Sequence, residues 1–181
     1  YLSYKMFSQM ELDAEMEWKL SVYFEQALSR AHYIAKRLFE KVASLEQGCG
    51  KHVLFLFTLA LHEYVAECVE LAGLIAAHGD TTASSIAKVV NQACETFVFE
   101  AIDMPMDSSF DATIEKVKSY LEDIPGGRGL ILLVDTGSLS RMYTLIKNSL
   151  SGDLMIINNV STAIALDIGI KMLGHSSFTE I

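Results

Sequence analysis

LAGLIAAHGDTTASS, residues 71–85, is the stretch that decides the fold of this chain. It opens with an apolar run of strand length at 71–77, turns at His78-Gly79-Asp80, and leads into a helical pattern after Thr81. A strand that meets a helix through a glycine turn is typical of the repeating unit of a parallel α/β sheet. Backbone N–H groups and the helix dipole at such a turn favour an anion, so a functional His78 would lie beside an anion site. An ordinary loop histidine is the alternative interpretation.

Apolar runs and helical stretches alternate through the rest of the chain. Further strands are predicted at 97–102, 129–134 and 154–157, and helices at about 82–95, 108–122, 138–150 and 161–173. This succession predicts an α/β fold with a doubly wound, mainly parallel sheet that is flanked by helices on both faces. The strand order expected for such a sheet is 2-1-3-4.

An all-helical segment is predicted ahead of the sheet. Apolar residues recur at three- and four-residue spacing from Leu20 to Val42 in one stripe, Gln47-Gly-Cys-Gly50 ends that helix, and a second helix runs from about His52 to Glu70. Two helices make a poor independent core, so we expect this segment to pack on its neighbour or on further sequence. The expected organisation is a helical linker or partial regulatory segment at 1–70, the α/β domain at 71–175, and the start of a linker at 176–181.

Composition narrows the class of protein. The 181 residues are 51% hydrophobic with only two prolines, which predicts one well-filled domain of ordinary size or a domain with a small extra module. A net charge of −9 without a basic cluster argues against direct nucleic-acid binding and suits a basic protein partner. Three cysteines without a CxxC pair indicate a reducing, cytoplasmic compartment, and the apolar stretch 53–61 is too short to span a membrane.

The predicted topology brings two chemically able residues together. Ligands of such sheets lie beyond the carboxyl ends of the strands where the strand order reverses, which is here between the first and third strands. His78 ends the first strand, and Asp135 ends the third. A histidine that accepts a phosphoryl group needs one ring nitrogen free and the other held, and a carboxylate can hold the ring N–H and offset developing positive charge. This juxtaposition favours a functional His78.

Donors for the phosphoryl oxygens are predicted at the two helix starts that follow these strands. Backbone N–H groups and hydroxyls there suit an anion, although most such Ser and Thr residues only cap helices. Another candidate, the acidic loop 103–107 with Asp103 and Asp107, is interpreted as a solvated turn on the same side of the sheet. The residues expected to bind phosphate are Gly79, Thr82, Ser84, Thr136, Gly137 and Ser138.

Competing kinds of site lack their motifs. The chain has no GxGxxG or Walker loop for a nucleotide and no GxSxG for a serine hydrolase. No second histidine or cysteine stands at ligand spacing from His78. The sequence therefore predicts neither a metal nor a cofactor. The other histidines, His32, His52, His62 and His175, are expected to be packed helix residues.

Four ordered motifs resemble the mannose-type enzyme IIA domain of the phosphoenolpyruvate sugar phosphotransferase system. The match is closer to the copy embedded in levan-operon-type, sigma-54-dependent transcriptional regulators, because Gly137-Ser138-Leu139 follows those regulators, whereas Thr136 follows the transporter branch. The resemblance covers about residues 71–175. Its motifs are Ile75-Ala-Ala-His-Gly-Asp-Thr-Thr-Ala-Ser-Ser85, Ile102-Asp-Met-Pro-Met-Asp107, Leu133-Val-Asp-Thr-Gly-Ser-Leu139 and Asn159-Val-Ser-Thr162.

The resemblance implies a phosphohistidine phosphotransferase-type domain. His78 would be the phosphorylated histidine, Asp135 its acidic partner, and the histidine phosphocarrier protein of that system the donor. The resemblance also implies a homodimer, and contacts with the other domains of a parent regulator. Two functions follow from it: a regulatory phospho-acceptor domain of a sigma-54-dependent activator, or an enzyme IIA phosphocarrier subunit of a mannose-family sugar transporter. The long helical segment ahead of the first strand favours the regulator, and retention of both His78 and Asp135 argues against a degenerate binding module.

Overall fold

The computed structural model describes residues 12–43, 50–67, 71–122, 129–136, 141–150, 152–174, 178 and 180–181. The chain divides into two compact units, Tyr1–Cys68 and Val69–Ile181. Within the described residues, no helix is both long enough and apolar enough to cross a membrane.

The described part of the first unit is helical, with α1 at Ala14–Ala27, α2 at Ser29–Ala43 and α3 at Lys51–Glu67. The expectation of one continuous helix from Leu20 to Val42 is wrong, because Leu28 leaves the helical region at φ −128° and ψ 36°. Its N–H still donates to the Phe24 carbonyl and its own carbonyl accepts from His32, so the chain bends at a single residue. The buried Phe24 ring of α1 stacks on His32 of α2 and lies 5.2 Å from the Phe55 ring of α3, so one side chain contacts both other helices.

The second unit is built on a four-stranded parallel sheet. Its strands are β1 at Leu71–His78, β2 at Phe99–Met104, β3 at Gly129–Val134 and β4 at Leu154–Ile157. The order β2-β1-β3-β4 confirms the predicted topology. The central strand β3 is buried along its whole length, as expected for a parallel sheet covered on both faces.

β2 begins and ends two residues later than predicted, and a buried side chain bonds the backbone where the strand begins. The Oδ1 atom of Asn91 accepts the backbone N–H groups of Val98 and Phe99, and its Nδ2 donates to the Phe99 carbonyl. These bonds satisfy buried backbone groups just ahead of the strand ladder.

Helices follow the strands in strict succession: α4 at Thr82–Ala93, α5 at Phe110–Glu122, α6 at Met142–Ile146 and α7 at Thr162–Leu173. Within the described residues, the helix predicted at 138–150 ends at Ile146 and continues as a 3₁₀ turn at Lys147–Ser149, and residues 138–140 lie outside the described part. Ser161 caps α7 by accepting the N–H of Ile164 at 3.3 Å.

Alternation along the strands produces two separate cores. Even-numbered residues of β1, such as Leu74 and Ala76, pack in the cluster that α5 and α6 complete. Odd-numbered residues, such as Ile75 and Ala77, pack in the cluster that α4 and α7 complete. Helices thus cover both faces, which confirms the doubly wound architecture. Phe178 and Ile181, near the chain end expected to begin a linker, pack against the second cluster.

Candidate functional site

His78 and Asp135 meet at the carboxyl edge of the two central strands. β1 and β3 run parallel with Ala76 opposite Val134, so His78 at the end of β1 and Asp135 directly after β3 lie at the same edge of the sheet. The Oδ2 atom of Asp135 accepts the backbone N–H of His78 at 2.9 Å, and the His78 Nδ1 atom lies 3.1 Å from both carboxylate oxygens. One carboxylate therefore holds both the main chain and the ring of His78.

This contact selects one tautomer of the His78 ring. An ionised carboxylate only accepts hydrogen bonds, so Nδ1 carries the proton that points at Asp135. A neutral ring then has its lone pair on Nε2. The side chains of His78 and Asp135 are 29% and 22% exposed, so the pair is partly shielded from water but open to a reaction partner. The arrangement presents Nε2 as a nucleophile.

The His78 side chain lines an open cavity of about 330 Å³, together with Met104, Phe110 and Arg141. Met104 is the partner of His78 across β1 and β2, Phe110 opens α5, and Arg141 directly precedes α6. Arg141 is exposed, and it is the one cationic side chain among these four. Sequence reasoning did not single out Arg141, because no motif marks it and only the fold brings it beside His78.

The turn after His78 requires glycine. Gly79 has φ +113°, which side chains rarely tolerate, and a Cβ atom at this position would lie 2.5 Å from the Thr82 hydroxyl oxygen. Its N–H donates to the Met104 carbonyl at 2.8 Å. In this conformation Gly79 shapes the turn, and its N–H is already bonded within the chain.

The N-terminus of α4, where a phosphate was expected, holds a carboxylate of the chain itself. The Oδ1 atom of Asp103 accepts the N–H groups of Ala83 at 2.7 Å and Ser84 at 3.2 Å, and its Oδ2 accepts the Ser84 hydroxyl. Interpreting Asp103 as a solvated-turn residue is therefore wrong: it lies in β2 and caps α4. Asp103 pairs with Ala77, which packs on the α4 side of the sheet.

The remaining residues expected to bind phosphate are only partly described. Thr82 and Thr136 are exposed, Thr82 beside the Gly79 turn and Thr136 next to Asp135. Gly137 and Ser138 lie outside the described residues. No group of three or more His, Cys, Asp or Glu side chains in the described part of the chain is arranged to hold a metal ion.

The other histidines differ in their surroundings. His32 and His52 are 5% and 9% exposed, as expected for packed helix residues, and burial lowers the pKa of His32. The expectation is wrong for His62, which is exposed because burial along α3 fades after Thr58. His175 lies outside the described residues.

Comparisons with known proteins agree with this fold. Residues 73–174 match the family model EIIA-man, described as "PTS system fructose IIA component". The chain is 35% identical over 104 residues, or 58% of its length, to the transcriptional regulatory protein DagR of Salmonella typhimurium (strain 14028s / SGSC 2262). It is 32% identical over 94 residues, or 52% of its length, to the transcriptional regulatory protein LevR of Bacillus subtilis (strain 168). The matches span only 11% and 10% of these two proteins, so the chain corresponds to about a tenth of each.

A solved structure has the same fold. The crystal structure of a sigma-54 interaction domain protein from Enterococcus faecalis superposes with a TM-score of 0.56 and 24% sequence identity. The match covers 62% of this chain and 85% of that one.

Proposed function

We propose a function for this chain on the ground that it belongs to the EIIA-man family of the sugar phosphotransferase system. In this proposal the chain is a regulatory domain that accepts a phosphoryl group on Nε2 of His78. The observation that carries this proposal is the hydrogen bonding of His78 Nδ1 to both Asp135 carboxylate oxygens at 3.1 Å. That contact holds one ring nitrogen as a donor and leaves the other as a nucleophile, on a residue that lines an open cavity.

The proposed reaction is a direct transfer between two imidazoles. The Nε2 lone pair of His78 attacks the phosphorus of a phosphohistidine on the donor protein. The Nε2–P bond forms as the donor's N–P bond breaks, and the donor's imidazole nitrogen takes back the electron pair. The Nδ1 proton stays in place, so no proton leaves His78. The ring gains positive charge during transfer, and the adjacent Asp135 carboxylate stabilises that charge.

The proposed donor is the histidine phosphocarrier protein of the phosphotransferase system. A net charge of −9 suits association with a basic surface on such a partner. We also propose that the chain acts in the cytoplasm, where it would encounter this donor, and that it forms a homodimer.

We favour a regulator over a transporter subunit. The two relatives described above are both named as transcriptional regulatory proteins, and each is far longer than this chain. In our proposal residues 71–175 form the phospho-acceptor domain, and residues 1–70 belong to a helical linker or partial regulatory segment of the parent activator. The complete gene tests this part: an encoded ATPase module supports a sigma-54-dependent activator, and a stand-alone IIA subunit contradicts it.

The chemistry is tested by reconstitution. The chain is incubated with labelled phosphoenolpyruvate, the general phosphotransferase enzyme and the phosphocarrier protein, and acid-labile label on the chain is measured. We expect label on the wild-type chain and none on His78→Ala. The matched control is His62→Ala, which removes an exposed histidine from α3 and should keep the wild-type label. Label that persists in His78→Ala contradicts the proposal.

A further inference from the structure

We propose that Arg141 binds the phosphoryl group on His78 and supplies the positive charge that balances it. This inference rests on the proposed phosphorylation of His78 and goes beyond it by assigning the residue that receives the phosphoryl oxygens.

Two of the residues expected to bind phosphate, Gly79 and Ser84, are already bonded within the chain. Asp103 accepts the N–H groups of Ala83 and Ser84 and the Ser84 hydroxyl, so the α4 N-terminus faces a carboxylate. The N–H of Gly79 donates to the Met104 carbonyl. A second anion placed against Asp103 would also meet its negative charge, which disfavours binding there.

Strand alternation directs the His78 side chain away from α4. Ala76 lies in the core cluster on the α5 and α6 side, whereas Ala77 lies in the cluster on the α4 side. His78 has the same parity as Ala76 and lines the cavity beside Phe110 of α5 and Arg141 ahead of α6. A phosphoryl group on Nε2 would therefore enter this cavity rather than the α4 N-terminus.

Arg141 has the chemistry that this position needs. A phosphoryl group bears about −1.5 to −2 charges near neutral pH, and the planar guanidinium presents paired N–H donors that match its oxygens. Among the described residues that line this cavity with His78 and Arg141, Met104 and Phe110 offer no charge. The Arg141 carbonyl accepts the Thr144 hydroxyl at 3.1 Å, which ties its backbone to the first turn of α6.

The test compares Arg141→Gln, Arg141→Lys and a charge-matched control in the reconstituted phosphotransfer reaction. Lys116→Gln is the control, because Lys116 is exposed on α5 and its loss changes the net charge equally. Each chain is measured for the rate of phosphorylation, for the hydrolysis half-life of the phosphohistidine after the donor is removed, and for its ³¹P chemical shift.

We expect Arg141→Gln to slow phosphorylation roughly tenfold or more, since hydrogen bonds to charged groups are the strong ones. It should also change the half-life and the ³¹P shift, both of which are independent of donor docking. Arg141→Lys should recover part of the rate because it keeps the charge but loses the paired donors. Lys116→Gln should stay within about twofold of the wild type, the size of a remote surface-charge effect.

The two proposals fail in different ways. A wild-type chain that takes label on His78, together with an Arg141→Gln variant of unchanged rate, half-life and ³¹P shift, overturns the role of Arg141 alone. A wild-type chain that takes no label on His78 overturns the proposed function and this inference with it.

Discussion

The carboxylate of Asp135 accepts two hydrogen bonds from one residue, the backbone N–H of His78 at 2.9 Å and its ring Nδ1 at 3.1 Å. A ring fixed in this way retains little freedom about its side-chain torsions, so its other nitrogen is presented in one direction. Orientation of this kind is a large part of what a protein contributes to a displacement reaction. The pair is created by strand order alone, because β1 and β3 are adjacent although 57 residues separate the two side chains.

Asp135→Asn should slow phosphorylation of His78 by roughly 10- to 100-fold while the sheet stays folded. The amide retains an oxygen acceptor for the His78 N–H groups, but it cannot offset the positive charge that develops on the ring. Initial rates from the phosphocarrier protein measure the effect, and circular dichroism checks the fold. Equal rates in the variant and the wild type would show that Asp135 does not compensate charge.

Gly79→Ala should destabilise the second unit by about 1–3 kcal/mol, the cost of holding a side chain in a strained backbone conformation. The reason is the φ of +113° and the approach of the new Cβ to the Thr82 hydroxyl. The matched control is Gly174→Ala, where a Cβ would make only ordinary contacts at 3.5 Å. Urea unfolding followed by amide signals of β1 gives both values, and equal stabilities would refute the strain.

Asp103→Ala should lower the free energy of unfolding of the second unit by about 0.5–2 kcal/mol, as loss of a helix cap does. Asp103→Asn keeps the Oδ1 acceptor for Ala83 and Ser84 and should retain most of that stability. The measurement is urea unfolding of both variants, with hydrogen exchange at Ala83 and Ser84. Unchanged protection of these amides in Asp103→Ala would contradict the capping role.

The first unit should lose stability on acidification because burial lowers the pKa of His32 below its ordinary 6.5. The unfolded chain then binds the proton more readily, so stability falls as pH drops through 6.5 and levels off below the lowered pKa. Trp18 is the only tryptophan and lies in α1, so its fluorescence reports on this unit. His32→Leu should flatten the pH dependence between about pH 7.5 and 5.5, roughly one unit on either side of the ordinary histidine pKa. If the stability of the variant depended on pH as steeply as that of the wild type, groups other than His32 would be responsible for the pH dependence.

Much of the sheet could be predicted because its strands are continuous apolar runs. β3 and β4 have the predicted bounds. The reversal of strand order between β1 and β3 agrees with the topology expected for strictly alternating strands and helices. The bend at Leu28 could not be predicted from spacing, since the apolar periodicity continues through it.

The positions of His78 and Asp135 could be predicted from the sequence, whereas the roles of Asp103 and Arg141 could not. His78 is the last residue of β1 and Asp135 directly follows β3, so the strand order places them at the same edge. The role of Asp103 depends on which face of β2 its side chain occupies, and a one-residue change of register would place it on the opposite face. Arg141 lies within the predicted helix 138–150, but no motif marks it and helical spacing alone does not place it beside His78.

The most direct test of the central claim is to locate the phosphoryl group on the phosphorylated wild-type chain by ³¹P and ¹⁵N NMR. We expect one phosphohistidine, with phosphorus bonded to Nε2 of His78 and the proton retained on Nδ1 toward Asp135. Phosphorus on Nδ1 of His78, or on any other histidine, would contradict it.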